Sequence, residues 1–293
     1  MLPTTVRDGL AMYSVGEGEP LLVFPYPHAM TVSSMAEGPL VEVLLRCGRS
    51  VITFDPPGAY ASERPGLFTL DEMLACARET VGHLGVDEPM DVAGHSMSAF
   101  CALALAVDAP RMVRRLVLVG ALSGFPAVKR WGMPYNWRWW RDREWWEVGW
   151  WGTRTVLGWD DLAVHKKLSN AVEKASYVDT TLAPRWTVEP GDRGRPAPSR
   201  VSWQRNVRRY DLAAGLPGIE TPVLLLCGRH DPQTPLQMAE QLHNLLPKAR
   251  LVVFENSGHS PFVEEPRAFE QAVTEFLRPR PGPSAGAAAA WNR

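Results

Sequence analysis

Two patterns of apolar residues alternate along the chain. Nearly continuous apolar runs occur at Leu21–Phe24, Val51–Phe54, Met90–Ala93, Leu116–Gly120, Val223–Cys227 and Leu251–Phe254. Runs of four or five residues without polar alternation predict strands buried on both faces, as in a parallel sheet. Between them, apolar residues recur at helical spacing. One stripe is Leu70, Leu74, Ala77, Val81 and Leu84, and a second is Phe100, Leu103, Ala104 and Val107. A third is Met238, Ala239, Leu242, Leu245 and Leu246, and a fourth is Phe269, Val273, Phe276 and Leu277. Thr69 and Glu72 form a capping box that would start the first of these helices. Pro266 sits where a first-turn proline is expected. Such stripes are core faces, and strand–helix alternation of this kind predicts a doubly wound α/β sheet.

The alternation stops between about Ser123 and Arg209. A stretch of that length is too long for a crossover connection and predicts a helical cap inserted over one end of the sheet. The expected organisation is a body at 1–122 and 210–278, a cap at 123–209 and a disordered tail at 279–293.

Composition narrows the function. The 293 residues are 45 % apolar and 22 % charged, enough for a sizeable core without disulfides or structural metal. Lys and Arg number 31 against 32 Asp and Glu, so no basic excess exists to bind a phosphate backbone. Nucleic acid is therefore not expected as a partner. No run of about 18 apolar residues is present, so no membrane span is expected. The N-terminus lacks the features of a signal peptide. Cys47, Cys76, Cys101 and Cys227 are scattered, which predicts reduced thiols in a cytoplasmic protein and no metal site. Tryptophan is the abnormal residue. Of 12, eight fall between Trp131 and Trp151, interleaved with Arg and Glu. Trp139, Trp146 and Trp150 fit one helical face and are candidates to roof an apolar pocket.

The segment Gly94-His95-Ser96-Met97-Ser98 follows a predicted buried strand and opens a predicted helix. A serine on such a tight turn projects its hydroxyl above the sheet, and the crowding requires small residues two positions to either side. Gly94 and Ser98 meet that need, although a second glycine is usual. A serine nucleophile needs a base, and the base needs an orienting acid. On this architecture the chain order is serine, acid, histidine. Asp231 follows VLLLC and His259 follows LVVF, so Ser96, Asp231 and His259 are the candidate catalytic set. His230 reads as a loop residue. His83, His165 and His243 fall in helical patterns, and Asp55 reads as structural. His95, in the elbow's variable position, is a candidate substrate contact.

These motifs resemble the α/β-hydrolase superfamily. GRHDPQTP (228–235) and ENSGHSPFVEEP (255–266) look most like the proline iminopeptidase branch. The resemblance spans roughly Pro20–Arg130 and Asp211–Arg278. It implies an α/β-hydrolase fold, with a mostly parallel central sheet, helices on both faces and an inserted helical cap. It also implies a serine at the elbow where epoxide hydrolases and haloalkane dehalogenases carry aspartate. An oxyanion hole would be made by the backbone N–H groups of Met97 and of His28, since Pro25 and Pro27 have no N–H to donate. The loop departs from the branch's glycine-rich run, and Tyr26 there could offer its hydroxyl to substrate. The branch's aminopeptidases hold a free amine with cap carboxylates, for which Glu144 is a candidate. The expected function is a cofactor-free serine hydrolase acting on an ester, lactone or thioester of a small apolar or aromatic molecule. The alternatives are a proline iminopeptidase-type aminopeptidase, a C–C bond hydrolase, and a non-hydrolysing receptor or natural-product cyclase on the same scaffold. Oligomeric state is left open.

Overall fold

The structure is a computed structural model and describes residues 2–26, 34–66, 69–86, 88–132, 143–156, 162–185 and 208–278, with the side chains of 143–145, 155, 156, 162, 163 and 165 set aside. His28 and Trp139 therefore lie outside the described residues, as do the Glu144 side chain and the expected tail.

The six expected strands form, each extended by a residue or two in most cases. They are β3 (Glu19–Val23), β4 (Arg49–Phe54), β5 (Met90–His95), β6 (Val113–Val119), β7 (Val223–Gly228) and β8 (Ala249–Phe254). Two further strands precede them, β1 (Thr5–Arg7) and β2 (Leu10–Val15). The sheet order is β1-β2-β4-β3-β5-β6-β7-β8, with β3 to β8 parallel to their neighbours and β1 and β2 antiparallel. The additional hairpin turns at Asp8-Gly9, where both residues have positive φ (46° and 75°) and Arg7 pairs with Leu10. An Asp-Gly pair suits that two-residue turn because both central positions need positive φ.

Residues on each buried strand face opposite sides in turn. Leu116 and Leu118 pack into a core with α2 (Leu70–His83), α3 (Met97–Asp108) and α7 (Leu236–Leu245). Val117 and Val119 pack into a second core with α1 (Pro39–Arg46) and α9 (Pro266–Leu277). The unbroken apolar runs are thus explained by two covered faces. Thr69 caps α2 by accepting the Glu72 N–H at 3.2 Å.

Between β6 and β7 the described residues form α4 (Phe125–Trp131), α5 (Arg143–Val156) and α6 (Leu162–Ser176), with no strand among them. Leu212 N–H donates to Ser123 O at 2.8 Å, and Gly124 bridges Asp211, so the two ends of this segment meet. Helices α5 and α6 pack together.

Polar knots hold both ends of the sheet. At the amino ends of the strands, the fully buried Asp91 bonds Arg49, Arg114 and Arg115, with Arg114 and Arg115 each gripping both carboxylate oxygens. Burial opposes the charge on Asp91, but the Arg115 and Arg114 bonds outweigh it and hold the carboxyl below its ordinary value. At the carboxyl ends, buried Asp55 accepts from Tyr13 Oη at 2.7 Å, Ser34 Oγ at 2.6 Å and Ala61 N at 3.0 Å. These bonds tie β2 and the 55–62 turn to the start of α1's approach.

Removing one partner of a buried ionic cluster leaves the others uncompensated, a cost of about 3–5 kcal/mol. Asp91→Asn is expected to lower stability by that order in denaturant unfolding. A carboxylate with a depressed folded-state pKa stabilises above its unfolded value and stops doing so as pH falls through the folded one. The gap between wild type and variant should therefore narrow on acidification.

Candidate active site

Tyr26, Asp55, Ser96, Asp231 and His259 all follow the carboxyl ends of parallel strands, the edge where open α/β sheets place their sites. Ser96 separates β5 from α3 with φ 57° and ψ −124°. A non-glycine residue in that region is strained by about 1–3 kcal/mol and persists only where its surroundings enforce it. Here Ser96 N–H donates to Val119 O at 2.8 Å on the adjacent strand. A Cβ at Gly94 would fall on the Ser98 carbonyl and lie 2.6 Å from Ala99 N. Ser98 does more than fit the crowded turn. Its buried hydroxyl accepts the His95 N–H at 2.8 Å and donates to His95 O at 2.9 Å, so it locks the elbow. Met97 is the first residue of α3, where an amide has no acceptor within the helix.

His259 Nδ1 lies 2.8 Å from Asp231 Oδ2, and both side chains are buried. The carboxylate only accepts, so Nδ1 carries the proton and Nε2 is left as the basic atom. The other Asp231 oxygen accepts the amides of Gln233 and Thr234 at 2.8 and 2.9 Å, and Thr234 Oγ1 donates to Oδ2 at 2.8 Å. A Cβ on Gly120 would sit 2.9 Å from Thr234 Oγ1 and 3.1 Å from His259 Cε1, so this position, at φ +53°, must stay bare for the imidazole to fit. Burial disfavours a charged His259, but Asp231 attracts and bonds it strongly enough to raise its pKa above the ordinary value. Glu173 and Glu264 push the same way.

The cap end meets this loop directly. His259 N–H donates to Ser176 O, the last residue of α6, at 2.8 Å. Gln233 Nε2 donates to Ser176 Oγ at 2.8 Å. Glu264, closing the short helix α8 (Pro261–Glu264), accepts the amides of Gly258 and Val178, both at 2.7 Å.

A cavity of about 100 Å³ opens between the elbow and α6, lined among others by Tyr26, His95, Glu173, Tyr177, Ser260 and Phe262. Tyr26 and His95 thus reach the same space. Burial lifts the Glu173 carboxyl above its ordinary value, while His259 pulls it down. The expected roof differs. Trp146 and Trp150 lie on α5 with 65 % and 60 % of their surface exposed, and they are not among the residues that line this cavity. Both rings are largely exposed, and among the described residues between β6 and β7 the cavity is lined by Glu173 of α6 and by Tyr177 and Pro184 after it. Glu173, Tyr177 and Ser176 carry no signal in the sequence, because α6 shows only an ordinary amphipathic pattern. Gly120 and Thr234 carried no motif that singles them out. His230 lies exposed in the 228–231 turn. Among the described residues, no group of three or more His, Cys, Asp or Glu could hold a metal ion, and no helix is long and apolar enough to cross a membrane.

Comparison with known proteins agrees with this architecture. A profile of the alpha/beta hydrolase fold matches residues 26–266. The chain is 30 % identical over 224 residues to a pimeloyl-[acyl-carrier protein] methyl ester esterase of Nitrosomonas europaea, covering 73 % of this chain and 80 % of that protein. It is 27 % identical over 278 residues to a 2-hydroxy-6-oxo-2,4-heptadienoate hydrolase of Pseudomonas putida, covering 91 % of each. The likeness to a proline iminopeptidase of Heyndrickxia coagulans, at 36 % identity, spans 80 residues, 27 % of each chain. Among solved structures, an alpha/beta fold family hydrolase from Bacillus anthracis superposes with a TM-score of 0.74 at 22 % identity, over 92 % of this chain and 95 % of that one.

The electrostatics can be read by NMR. His259 is expected to titrate above its ordinary value near 6.5, and Glu173→Gln to lower that midpoint by removing a neighbouring negative charge. His95, buried and beside His259, is expected to stay neutral through the same range.

Proposed function

The chain belongs to the α/β hydrolase fold family, and on that premise we propose that it is a serine hydrolase that cleaves an ester, lactone or thioester of a small apolar or aromatic substrate. The observations that carry this reading are the strained Ser96 at the elbow and the buried Asp231–His259 pair, in which Nδ1 is engaged and Nε2 is the basic atom. In this mechanism His259 Nε2 takes the Ser96 proton as Oγ attacks the substrate carbonyl. Asp231 holds the imidazole and stabilises its cation. The oxyanion is bound by the Met97 N–H and, outside the described residues, by the His28 N–H. The leaving group departs with the proton from His259. Water then gives a proton to His259 and attacks the acyl-enzyme, releasing the acid and restoring Ser96. The esterase relative supports the ester reading. The 2-hydroxy-6-oxo-2,4-heptadienoate hydrolase relative supports a C–C bond hydrolase as the alternative on the same reacting set.

One observation favours a second reading, a proline-type aminopeptidase. Glu173 faces the cavity near His259, where a carboxylate could hold a substrate ammonium. It takes the role expected of Glu144 from a different helix.

Two assays separate these readings. A fluorophosphonate probe is expected to label the wild type and not Ser96→Ala, with aryl-ester kcat falling about 10⁴-fold or more in the variant. A wild type that resists the probe as fully as Ser96→Ala would overturn the serine mechanism. Ester turnover without cleavage of a proline arylamide is expected; a dominant arylamide activity that Glu173→Gln abolishes would establish the second reading instead.

A further inference from the structure

Both main-chain polar atoms of His259 are bonded, and neither partner belongs to its own loop. The N–H goes to Ser176 O at the end of α6, and the C=O lies 2.8 Å from His95 Nε2 on the elbow. A carbonyl oxygen only accepts, so His95 Nε2 carries a proton. Burial, and then the neighbouring His259, hold the His95 pKa well below its ordinary value, so the ring is neutral and its Nδ1 is bare. Tyr26 Oη is hydrogen-bonded to that Nδ1, and on this tautomer the tyrosine is the donor. The ring is also wedged in place. It lies 4.4 Å from the His259 ring and meets Phe262 edge-on at 5.0 Å between centroids. The chain thus runs Tyr26 O–H to His95 Nδ1, then His95 Nε2–H to His259 O.

We propose that His95 is a positioning residue that fixes His259 relative to Ser96, with Tyr26 selecting the tautomer that lets it do so. This rests on the reading of Ser96, Asp231 and His259 as the reacting set. His95 and Ser96 are adjacent on a turn locked by Ser98. A bond from His95 to the His259 main chain therefore couples the elbow that carries the nucleophile to the loop that carries the base. Sub-ångström changes there are costly, because a displacement of about 1 Å in a catalytic group can cost about a hundredfold in rate. Tyr26 acts one step back. Without its hydroxyl, neutral His95 can move its proton to Nδ1 and leave a bare Nε2 facing a carbonyl.

Side-chain geometry makes the test selective. A glutamine amide reaches about as far as Nε2 and keeps a donor for His259 O. An asparagine amide reaches about as far as Nδ1 and keeps only the Tyr26 contact. His95→Gln is expected to retain kcat within about threefold, and His95→Asn to lose at least tenfold in kcat with KM little changed. The downfield proton of the His259–Asp231 bond should persist in the first and broaden or shift in the second. Tyr26→Phe is expected to lower kcat several-fold in the wild-type background and to have no further effect in His95→Gln, which has no tautomer to select. Equal losses in His95→Gln and His95→Asn, wild-type kcat in His95→Asn, or an undiminished Tyr26→Phe effect on His95→Gln would each overturn the proposal. Failure of the wild type to react with fluorophosphonate would instead remove the nucleophile reading on which it stands. If either His95 variant proves too unstable to assay, the Tyr26→Phe effect on kcat and on the downfield proton decides: no change in either overturns the relay.

Discussion

The buried hydrogen bond between His259 Nδ1 and Asp231 Oδ2 constrains everything around it. The carboxylate beside the imidazole favours its charged form in this buried site, and three further donors bond that carboxylate. That bonding fixes the 231–234 turn against the end of β7. It also keeps Gly120 bare beside the ring, since a methyl group would occupy the space that Thr234 and His259 share. The loop carrying His259 has little regular structure, so its position comes from bonds to other elements. Those bonds run to the last residue of α6 and to the elbow.

This arrangement couples α6 to the His259 loop through the main chain. Ser176 accepts the His259 amide, and Glu264 gathers amides from both the His259 loop and the segment after α6. Glu173, three residues before Ser176, turns its carboxyl toward the cavity. One helix end therefore helps to seat the imidazole, and the preceding turn sets the charge of the space above it. The same economy appears in the strained elbow. The energy stored at Ser96 is sustained by a strand-to-strand bond and by the Ser98 hydroxyl, both supplied by residues whose burial the core already enforces.

Much of the body was legible in the chain because its signals are local. Strands covered on both faces show as unbroken apolar runs, and Thr69, Glu72 and Pro266 mark helix starts within a few residues of the helices they cap. The β1–β2 hairpin falls outside the six runs because β1 is a three-residue, mostly exposed edge strand and the buried part of β2, Leu10–Tyr13, has no β-branched residue, although the Asp8-Gly9 pair marks its turn. Trp146 and Trp150 show the limit of composition. A stripe of large rings suggests a buried face, yet the helix presents them to solvent, and which face a helix buries is decided by what packs on it.

By itself the sequence determined the six strands from β3 to β8 and the four helices of the apolar stripes, and it offered the serine elbow and the acid and histidine loops as candidates, since each depends on neighbours close along the chain. Only the tertiary structure decided which groups surround them. The Asp231–His259 pairing joins residues 28 positions apart, and the His95–His259 bond joins residues 164 positions apart. The tautomer of His95, the elevation of the His259 pKa and the approach of Glu173 all arise from such long-range contacts among buried groups. Hydrogen-bond direction and desolvation are properties of a packed environment, and no local stretch of sequence carries them.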